Sequence, residues 1–477
     1  MSKKNSSHWT ESKVTTARRV AYKILFNCRV KQLRVRDYLR ISPEFISLSS
    51  QDKAFVTRLV LGVTLTYGKL DQAIKNHLKR GIHLEPKVQD TLRIGVYEIL
   101  YLDTRVDAAI YQGVELVKAV SSRSSGLANA LLRRISEQER LLTHIDNPST
   151  IEELSWVSGI PEWMCLEMQD SLGSSIAQKL LVNLRNPAPI YVLNRGLSFE
   201  QQSDQSLDVS PTCLSDVYKV KNPSLLNADT YIQKVMLVPA DFASQFISYL
   251  VASYVHNRIL EIGQGRGTKS LLLSHALGFY HNSSAYITAV EVSKRKSLIS
   301  QKRLEIAGIS HQVTSIPFDA TTLDLEEVPS ELSCFFDVVF IDAPCSGMGT
   351  LRRHPEIAWK LKPQSLYNKS EITRLQIELL CSASSRVSFG GYLVYATCSL
   401  SGSENEQVIK HFLSTQEGQA FEIDTIENCP GVDCLSSEAH TFLSACTTSE
   451  GFIQTAYASI HSTIDCDAHF MAVLKRR

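Results

Sequence analysis

The period of the hydrophobic positions changes along the chain. Up to about residue 145, apolar residues recur at spacings of three and four, which is typical of amphipathic helices. A clear series is Val88, Leu92 and Val96. Pro86 precedes that series, at a position where proline favours the first turn of a helix. The pattern predicts an all-α helical bundle of five to seven helices over residues 1–145.

Beyond residue 239 the pattern is different. Short apolar runs alternate with helical segments up to residue 477, the order typical of a doubly wound α/β sheet of the Rossmann type. The predicted strands are 258–262, 286–290, 313–318, 337–341 and 392–395. Residues 146–238, with a helical segment to about Asn183, a strand signal at 191–194 and a Ser-, Asp- and Gln-rich stretch, are predicted to form a connecting segment and a small mixed subdomain.

Composition narrows the class of protein. The 477 residues contain no run of 18 apolar residues, so no membrane span is predicted. The N-terminus Met1–Asn5 is basic, but no apolar segment follows it, which argues against a secretory signal. The eleven cysteines include no C-x-x-C pair, and they fit reduced thiols in a cytoplasmic protein better than a disulfide scaffold.

Charge is unevenly distributed. Residues 1–140 hold 25 Lys and Arg against 13 Asp and Glu, a net +12, whereas the rest hold 25 against 36, a net −11. A basic N-terminal region on an acidic remainder is consistent with a nucleic-acid partner. A solvated helical surface would give the same count, and charge alone leaves both readings open.

Polar and glycine-rich loops follow the predicted strands. The glycine-rich turn after strand 258–262 leads from a strand into a helix, and such a turn can bind a nucleotide-type cofactor. A tight turn without a ligand can have the same sequence. Glu291, at the end of strand 286–290, could accept hydrogen bonds from ribose hydroxyls or cap a helix. Asp319 could face an adenine amino group or cap a turn. The candidate cofactor loop after strand 258–262 is Gly263, Gln264, Gly265, Arg266, Gly267, Thr268 and Lys269.

Two thiols and one acid follow the last two strands. Asp342 and Cys345 come after strand 337–341, and Cys398 comes after strand 392–395. Ligands of open α/β sheets bind at the carboxyl ends of strands, so these groups are candidate catalytic residues. A cysteine by itself is more often a small buried hydrophobe. The other cysteines have no metal-ligand spacing, and no metal site is predicted.

These motifs resemble the RsmB (Sun/Fmu) family of ribosomal RNA 5-methylcytosine methyltransferases, which carry a NusB-like RNA-binding domain at the front. The segments that carry the resemblance are 52–56, 61–63, 92–97 and 126–134 in the helical part, and 342–347, 352–356, 391–399 and 404–405 in the sheet part. The resemblance covers nearly the whole chain. It implies S-adenosyl-L-methionine as cofactor and RNA, in particular small-subunit ribosomal RNA, as substrate of a monomeric enzyme.

The resemblance also implies a division of roles. Carbon 5 of cytosine is a poor nucleophile until a thiolate adds to carbon 6, and a carboxylic acid can stabilise the charge that develops at ring nitrogen 3. By resemblance Cys398 is the nucleophile, Cys345 assists release of the product, and Asp342 holds the cytosine at the edge of the cofactor site. The reverse assignment of the two thiols is the pattern of DNA cytosine methyltransferases, whose nucleophile follows a proline.

The cofactor loop departs from the family pattern. The family reads Asp-x-Cys-Ala-Ala-Pro-Gly-Gly-Lys where this chain has 261–269, and within the loop only Gly267 and Lys269 match. Arg266 in place of proline puts a cation near the cofactor's sulfonium. The departure motivates an alternative, a non-catalytic RNA-binding assembly or regulatory factor whose cofactor site has decayed.

Overall fold

The computed structural model describes residues 13–197, 207–222, 226, 230–280, 284–367, 370–457, 460 and 463–477. The basic start Met1–Asn5 and much of the Ser-, Asp- and Gln-rich stretch lie outside these residues. Contacts divide the chain into two units. One unit is Met1–Pro187 with Leu351–Leu361, and the other is Ala188–Thr350 with Lys362–Arg477.

The first unit is helical, and its described residues up to 145 contain eight α-helices. The pattern predicted five to seven, because helices of four and seven residues are too short to show an apolar period. Pro86 is at the first position of its helix, as predicted. The helices are α1 (Thr16–Lys31), α2 (Val35–Ile41), α3 (Pro43–Ile46), α4 (Ser50–Leu65), α5 (Tyr67–His77), α6 (Pro86–Tyr101), α7 (Val106–Val120) and α8 (Ser125–Gln138).

Helix α6 is the centre of this unit, since residues on all its faces are buried. Gly62 on α4 makes close packing possible, because a Cβ there would lie 1.9 Å from the hydroxyl of Tyr97. The charged residues of α6 are paired. Arg93 bonds to Asp71 at 2.8 Å and to Asp90 at 2.9 Å, and Asp90 also bonds to Arg29 at 2.8 Å.

The unit continues past residue 145 and takes in a later segment. Helices α9 (Ile151–Ser158), α10 (Glu162–Leu172) and α11 (Ser174–Asn183) follow, and Gly173 at φ +79° separates the last two, which the pattern predicted as one. The segment Leu351–Leu361 contains a one-turn helix, Ile357–Lys360. Within this unit, the Trp359 indole N–H donates to the Leu65 carbonyl at 2.6 Å.

The second unit begins with a small antiparallel sheet. Its strands are β1 (Ile190–Asn194), β2 (Val209–Pro211), β3 (Val217–Val220) and β4 (Leu237–Pro239), in the order β2-β3-β1-β4, with a short helix, α12 (Thr230–Gln233), before β4. Strand β1 is the predicted strand 191–194 with one more residue. The sheet covers the second part of residues 146–238, which the sequence predicted as a connecting segment and small mixed subdomain, whereas the part up to Pro187 belongs to the helical unit.

A larger sheet forms the rest of this unit. Strands β7-β6-β5-β8-β9 are parallel, and β12 and β10 continue the order antiparallel, with β11 on the edge of β12. The elements in chain order are α13 (Phe242–Ser253), β5 (Arg258–Ile262), α14 (Thr268–Phe279), β6 (Tyr286–Val290), α15 (Lys294–Ile306), β7 (Val313–Ile316), β8 (Phe336–Asp342), α16 (Glu371–Ser384), β9 (Val387–Thr397), α17 (Glu406–Ser414), β10 (Phe421–Asp424), α18 (Ser437–Cys446), β11 (Ile453–Gln454) and β12 (Phe470–Arg476).

Both faces of the parallel strands are buried. Along β5, Ile259 packs in one apolar cluster and Leu260 in another, as the period of two requires. A parallel sheet covered on both faces produces the continuous apolar runs from which the strands were predicted. The predicted fold class, a helical N-terminal region followed by a doubly wound Rossmann-type domain, is confirmed.

Two details of the sheet unit differ from the pattern. Strand β7 ends at Ile316, two residues before its predicted end, and Pro317 has no N–H to continue a ladder. The Ser- and Thr-rich stretch 429–463 contains α18, which the apolar pattern did not predict. Phe442 of α18 packs edge-on against Phe242 and Phe246 of α13, with ring centroids 5.3 and 5.1 Å apart. Residues 458, 459, 461 and 462 of this stretch lie outside the described residues.

Candidate active site

The carboxyl ends of the parallel strands carry the predicted site residues. Strand β5 leads into the glycine loop, β6 into Glu291, β8 ends at Asp342 and β9 is followed by Cys398. The strand order changes direction between β5 and β8, since the chain runs outward through β6 and β7 before it returns to β8. Such a switch point opens a crevice at the carboxyl edge, and ligands of open α/β sheets bind there.

The two predicted catalytic thiols lie side by side. The Sγ atoms of Cys345 and Cys398 are 3.3 Å apart, and both residues are partly exposed. The pKa of the Cys345 thiol is raised well above its ordinary value, first by its hydrogen bond with Cys398 and then by burial. Electrostatic interactions with Cys398 and with Glu404 raise the Cys345 pKa further. Cys345 therefore keeps its proton to higher pH than an ordinary thiol.

The loop of Cys345 crosses the loop of Cys398 at Gly349. The Gly349 N–H donates to the Cys398 carbonyl at 2.9 Å, and the Gly349 carbonyl accepts the Ala468 N–H at 3.1 Å. A Cβ on Gly349 would lie 2.1 Å from the Ala468 carbonyl oxygen, so the crossing requires glycine. The close crossing is what brings the loops after β8 and β9 within reach of one another.

Asp342 forms an ion pair with Lys269, the second residue of α14. The Lys269 side chain is 11% exposed and that of Asp342 31%, so the lysine is the more buried partner. Gly263 lies directly beside this acid, because a Cβ at that position would be 2.4 Å from the Asp342 carbonyl oxygen. The arrangement places a carboxylate, held by a cation, where β8 meets the cofactor loop.

The glycine loop is built on left-handed backbone. Gly263, Gly265 and Gly267 have φ angles of +85°, +61° and +77°, a region that side-chain-bearing residues rarely adopt. The N–H groups of Gly263 and Gln264 donate to the Val290 carbonyl, each at 3.1 Å. The tight turn is thereby fixed to the end of β6 and leads directly into the N-terminus of α14.

Glu291 ties the same loop to the next helix. Its Oε2 accepts the Gly265 N–H at 2.9 Å, and its Oε1 accepts the Ser293 N–H at 2.9 Å. Ser293 is the residue that caps α15, so the carboxylate acts partly as the capping group that the sequence had left open. Lys296 Nζ also lies 3.7 Å from Oε1, and the lone pairs that the two N–H groups do not use can accept further hydrogen bonds.

Gln264 points into the protein. Its Nε2 donates to Ser270 Oγ at 3.0 Å and to Ser315 Oγ at 2.7 Å, and Ser270 Oγ in turn donates to Glu261 Oε2 at 2.5 Å. Glu261 is fully buried, and burial raises its pKa to about 7. Among the described residues, Glu261 Oε1 and Gln264 Oε1 have no hydrogen-bond partner.

The remaining predicted cofactor residues lie around the loop. Arg266 is exposed, and its carbonyl accepts the Arg303 Nη1 group at 2.7 Å. The same nitrogen donates to Thr268 Oγ1 at 3.0 Å, so Arg303 braces the loop. Asp319 is exposed, and its Oδ1 accepts the Thr321 N–H at 3.0 Å, which is the turn-capping arrangement.

Sequence reasoning named no role for two residues that the fold brings to the site. Arg303 lies in α15 and carries no motif. Glu404 was noted only as part of a matched segment, yet its carboxylate binds the serines that follow both cysteines, Ser346 and Ser399. Its position six residues after Cys398, inside that segment, was the available signal.

Two features are absent from the described residues. Within the described ranges, no group of three or more His, Cys, Asp or Glu side chains could hold a metal ion. No described helix is long and apolar enough to cross a membrane.

Comparison with known proteins shows which families the fold and its two units resemble. Residues 249–458 match the sequence model of 16S rRNA methyltransferase RsmB/F, and residues 15–137 match the NusB family. The sheet unit is therefore similar to the RsmB/F methyltransferases, and the helical region before it is similar to the NusB family. The predicted resemblance is thus confirmed.

Curated relatives extend over most of the chain. It is 25% identical over 423 residues to the probable ribosomal RNA small subunit methyltransferase B of Bacillus subtilis, covering 86% of this chain and 91% of that protein. It is 27% identical over 385 residues to ribosomal RNA small subunit methyltransferase B of Thermus thermophilus, covering 80% and 83%.

Solved structures support the fold. The crystal structure of PH0851 has a TM-score of 0.70 at 20% identity, with 98% of this chain and 100% of that chain covered. A methyltransferase homolog protein from Pyrococcus horikoshii has a TM-score of 0.51 at 17% identity, with 69% and 99% covered. At these identities the likeness concerns the fold alone.

Proposed function

We propose that this chain transfers a methyl group from S-adenosyl-L-methionine to carbon 5 of a cytosine in RNA, through a covalent cysteine adduct. The observation that carries the proposal is the pair of thiols 3.3 Å apart, Cys345 and Cys398, at the same sheet edge as Asp342. Methyl transfer to a nitrogen or an oxygen needs no thiol at all. Transfer to a ring carbon needs a nucleophile that adds and later leaves, which a thiolate does well.

Cys398 acts as the nucleophile in this proposal. Its thiolate adds to carbon 6 of the cytosine, and the electron pair displaced from the ring makes carbon 5 able to accept a methyl group. After the methyl group is in place, a water molecule takes the carbon 5 proton, the carbon 5–carbon 6 double bond re-forms, and the Cys398–carbon 6 bond breaks with Cys398 leaving as a thiolate. The raised pKa of Cys345 supports this order, because a protonated Cys345 can stabilise the Cys398 thiolate before attack and assist its departure afterwards.

Asp342 holds the base. Its carboxyl group can hydrogen-bond the cytosine at the ring nitrogen 3 side, where negative charge develops when the thiolate adds. Lys269 pairs with Asp342 and keeps its side chain directed to the carboxyl edge of β8.

The loop residues fit the proposed cofactor. Three left-handed glycines form an open turn at the N-terminus of α14, and a Cβ on Gly265 would meet no atom closer than 3.9 Å. Glu291 would bind the ribose hydroxyls with its remaining lone pairs, and Asp319 would lie toward the adenine. Gly263, Gln264, Gly265, Arg266, Gly267, Thr268 and Lys269 would line the turn through their backbone. S-adenosyl-L-methionine, when bound, supplies the methyl group.

Small-subunit ribosomal RNA is the proposed substrate, since the Bacillus and Thermus relatives carry that substrate in their names. The helical region supports an RNA partner, because residues 1–140 have a net charge of +12. A monomer acting in the cytoplasm would suffice, since all the proposed catalytic groups come from one chain.

The test is direct. Full-length protein is incubated with 16S ribosomal RNA or small subunits and methyl-labelled S-adenosyl-L-methionine, and the digested RNA is analysed by mass spectrometry. The proposal predicts 5-methylcytidine with the wild type and with Cys381→Ala, a matched thiol outside the site, and none with Cys398→Ala. RNA binding without methylation by the wild type would instead support the non-catalytic assembly factor.

A further inference from the structure

A buried carboxylate lies between the two cysteine loops. Glu404 has no exposed surface. Its Oε1 accepts the Ser346 N–H at 2.7 Å, and its Oε2 accepts the hydroxyl groups of Ser346 and Ser399. Ser346 follows Cys345 and Ser399 follows Cys398, so one side chain is bonded to the neighbours of both thiols.

This carboxylate is costly to bury. A desolvated ionised acid is unfavourable unless it is paired or well hydrogen-bonded, and burial raises the pKa of Glu404. Among the described residues no lysine, arginine or histidine forms an ion pair with it; three hydrogen bonds from the two loops offset the cost instead. A glutamine would fill the same volume without the charge, so packing alone does not call for an acid.

The hydrogen bonds of Glu404 hold the Cys345 loop and the Cys398 loop at a fixed separation. The hydroxyl oxygens of Ser346 and Ser399 are 3.2 Å apart on one carboxylate oxygen, and the two thiols on the preceding residues are 3.3 Å apart. Asn405, the next residue, accepts the Thr397 hydroxyl at 2.7 Å and donates to the Ser399 carbonyl at 3.2 Å. The Cys398 loop is therefore held on both sides of its thiol.

The charge of Glu404 also acts on one thiol. It raises the pKa of Cys345, together with burial and the Cys398 contact. Oε2 accepts from both serine hydroxyls, which turns both O–H groups toward the acid. A glutamine at this position could present an amide N–H₂ to the hydroxyls and reverse both of them, without a change in volume.

We propose that Glu404 is a positioning residue that sets the separation of the Cys345 and Cys398 thiols through the hydroxyl groups of Ser346 and Ser399, so that Cys345 can release the methylated base from Cys398. The proposal rests on the proposed cytosine methylation. It assigns no contact between Glu404 and the substrate. Its effect is on turnover, after the RNA has bound.

The test compares Glu404→Gln with Glu406→Gln, a partly buried acid two residues away whose charged neighbours are Lys410 and Glu450. The full-length proteins are assayed for methylation of 16S ribosomal RNA and for covalent RNA adducts on denaturing gels. For Glu404→Gln we expect a fall in kcat of about 10- to 100-fold, with KM for RNA within about two-fold, since an interaction used only during turnover is lost. The adduct should accumulate above the wild-type level, and Glu406→Gln should match the wild type.

A pH profile separates this role from a general loss of structure. Because the Glu404 charge raises the Cys345 pKa, its removal lowers that pKa, and the alkaline limb of the kcat profile should move to lower pH. If Glu404→Gln does not fold, Ser399→Ala tests the same link and should show the same split between kcat and KM.

Three outcomes overturn the proposal. They are a wild-type kcat and adduct level in Glu404→Gln or Ser399→Ala, a rise in KM with kcat unchanged, and an unmoved alkaline limb. The proposed function fails differently, since the wild type itself would then make no 5-methylcytidine.

Discussion

Buried charged residues differ between the two units in whether they have an ion-pair partner. In the helical unit, Arg93, Asp71, Asp90 and Arg29 form a continuous chain of ion pairs around α6. At the carboxyl edge of the sheet unit, Glu261 and Glu404 are fully buried, and no ion pair of theirs exists among the described residues. The first pattern pairs these four charges with one another, whereas Glu261 and Glu404 have raised pKa values and, within the described part of the chain, no ion-pair partner at the ends of strands, where a ligand site is expected.

The largest expected effect comes from a substitution that breaks the ion-pair network around α6. Arg93→Ala leaves Asp71 and Asp90 without their shared cation, and removal of one partner of a buried pair costs about 3–5 kcal/mol of unfolding free energy. Urea unfolding followed by circular dichroism measures the change. Arg134→Ala, an exposed arginine on α8, is the control and should lie within about 0.5 kcal/mol of the wild type. Equal stability of the two variants would show that the network is not structural.

Glu261, which has no ion-pair partner within the described residues, is expected to make the stability of the protein depend on pH. Its pKa is about 7 in the folded state against a usual value of 4.5, so the unfolded state loses its proton first as the pH rises. The folded state therefore loses stability between about pH 4.5 and pH 7, by up to about 3 kcal/mol from this group. Glu261→Gln removes the titration, so its stability relative to the wild type should increase from pH 5 to pH 8. A difference between the two proteins that is constant with pH would contradict the assignment.

The ion pair between Lys269 and Asp342 is expected to affect activity more than stability. Lys269→Met removes the cation from Asp342, and we expect a loss of about 10- to 100-fold in kcat for RNA methylation, roughly 1.4–2.7 kcal/mol. The melting temperature should change little, because Asp342 is partly exposed and can be solvated. Lys302→Met, an exposed lysine on α15, is the control. A large drop in melting temperature with kcat unchanged would place Lys269 with the structural pairs of the helical unit.

Much of the fold follows from local pattern. The strands Arg258–Ile262 and Tyr286–Val290 have the predicted bounds, because each is a buried apolar run with polar or glycine residues on both sides. Helix Pro43–Ile46 was not predicted, since four residues are too few to show a period. The contacts of Trp359 with the helical unit could not be predicted either, because they join residues almost 300 positions apart.

The sequence predicted the residues of the site better than the hydrogen bonds that connect them. Cys345 and Cys398 were predicted as catalytic residues because each follows a strand, and the structure brings their Sγ atoms to 3.3 Å from one another. The direction of the Gln264 side chain depends on Ser315, which belongs to another strand, so the loop sequence did not reveal it. Glu404 links two loops that only the folded sheet brings together. The roles assigned to these residues in methylation stay predictions.

The most direct test of the account is covalent trapping of RNA by Cys345→Ala. This variant is mixed with labelled 16S ribosomal RNA and S-adenosyl-L-methionine, and the products are separated on a denaturing gel. The account predicts a slow-migrating protein–RNA adduct, because Cys398 still attacks while release is impaired. The adduct should disappear when Cys398→Ala is added to the same protein. An adduct that persists without Cys398, or one formed by Cys398→Ala and not by Cys345→Ala, would contradict the assignment of the nucleophile.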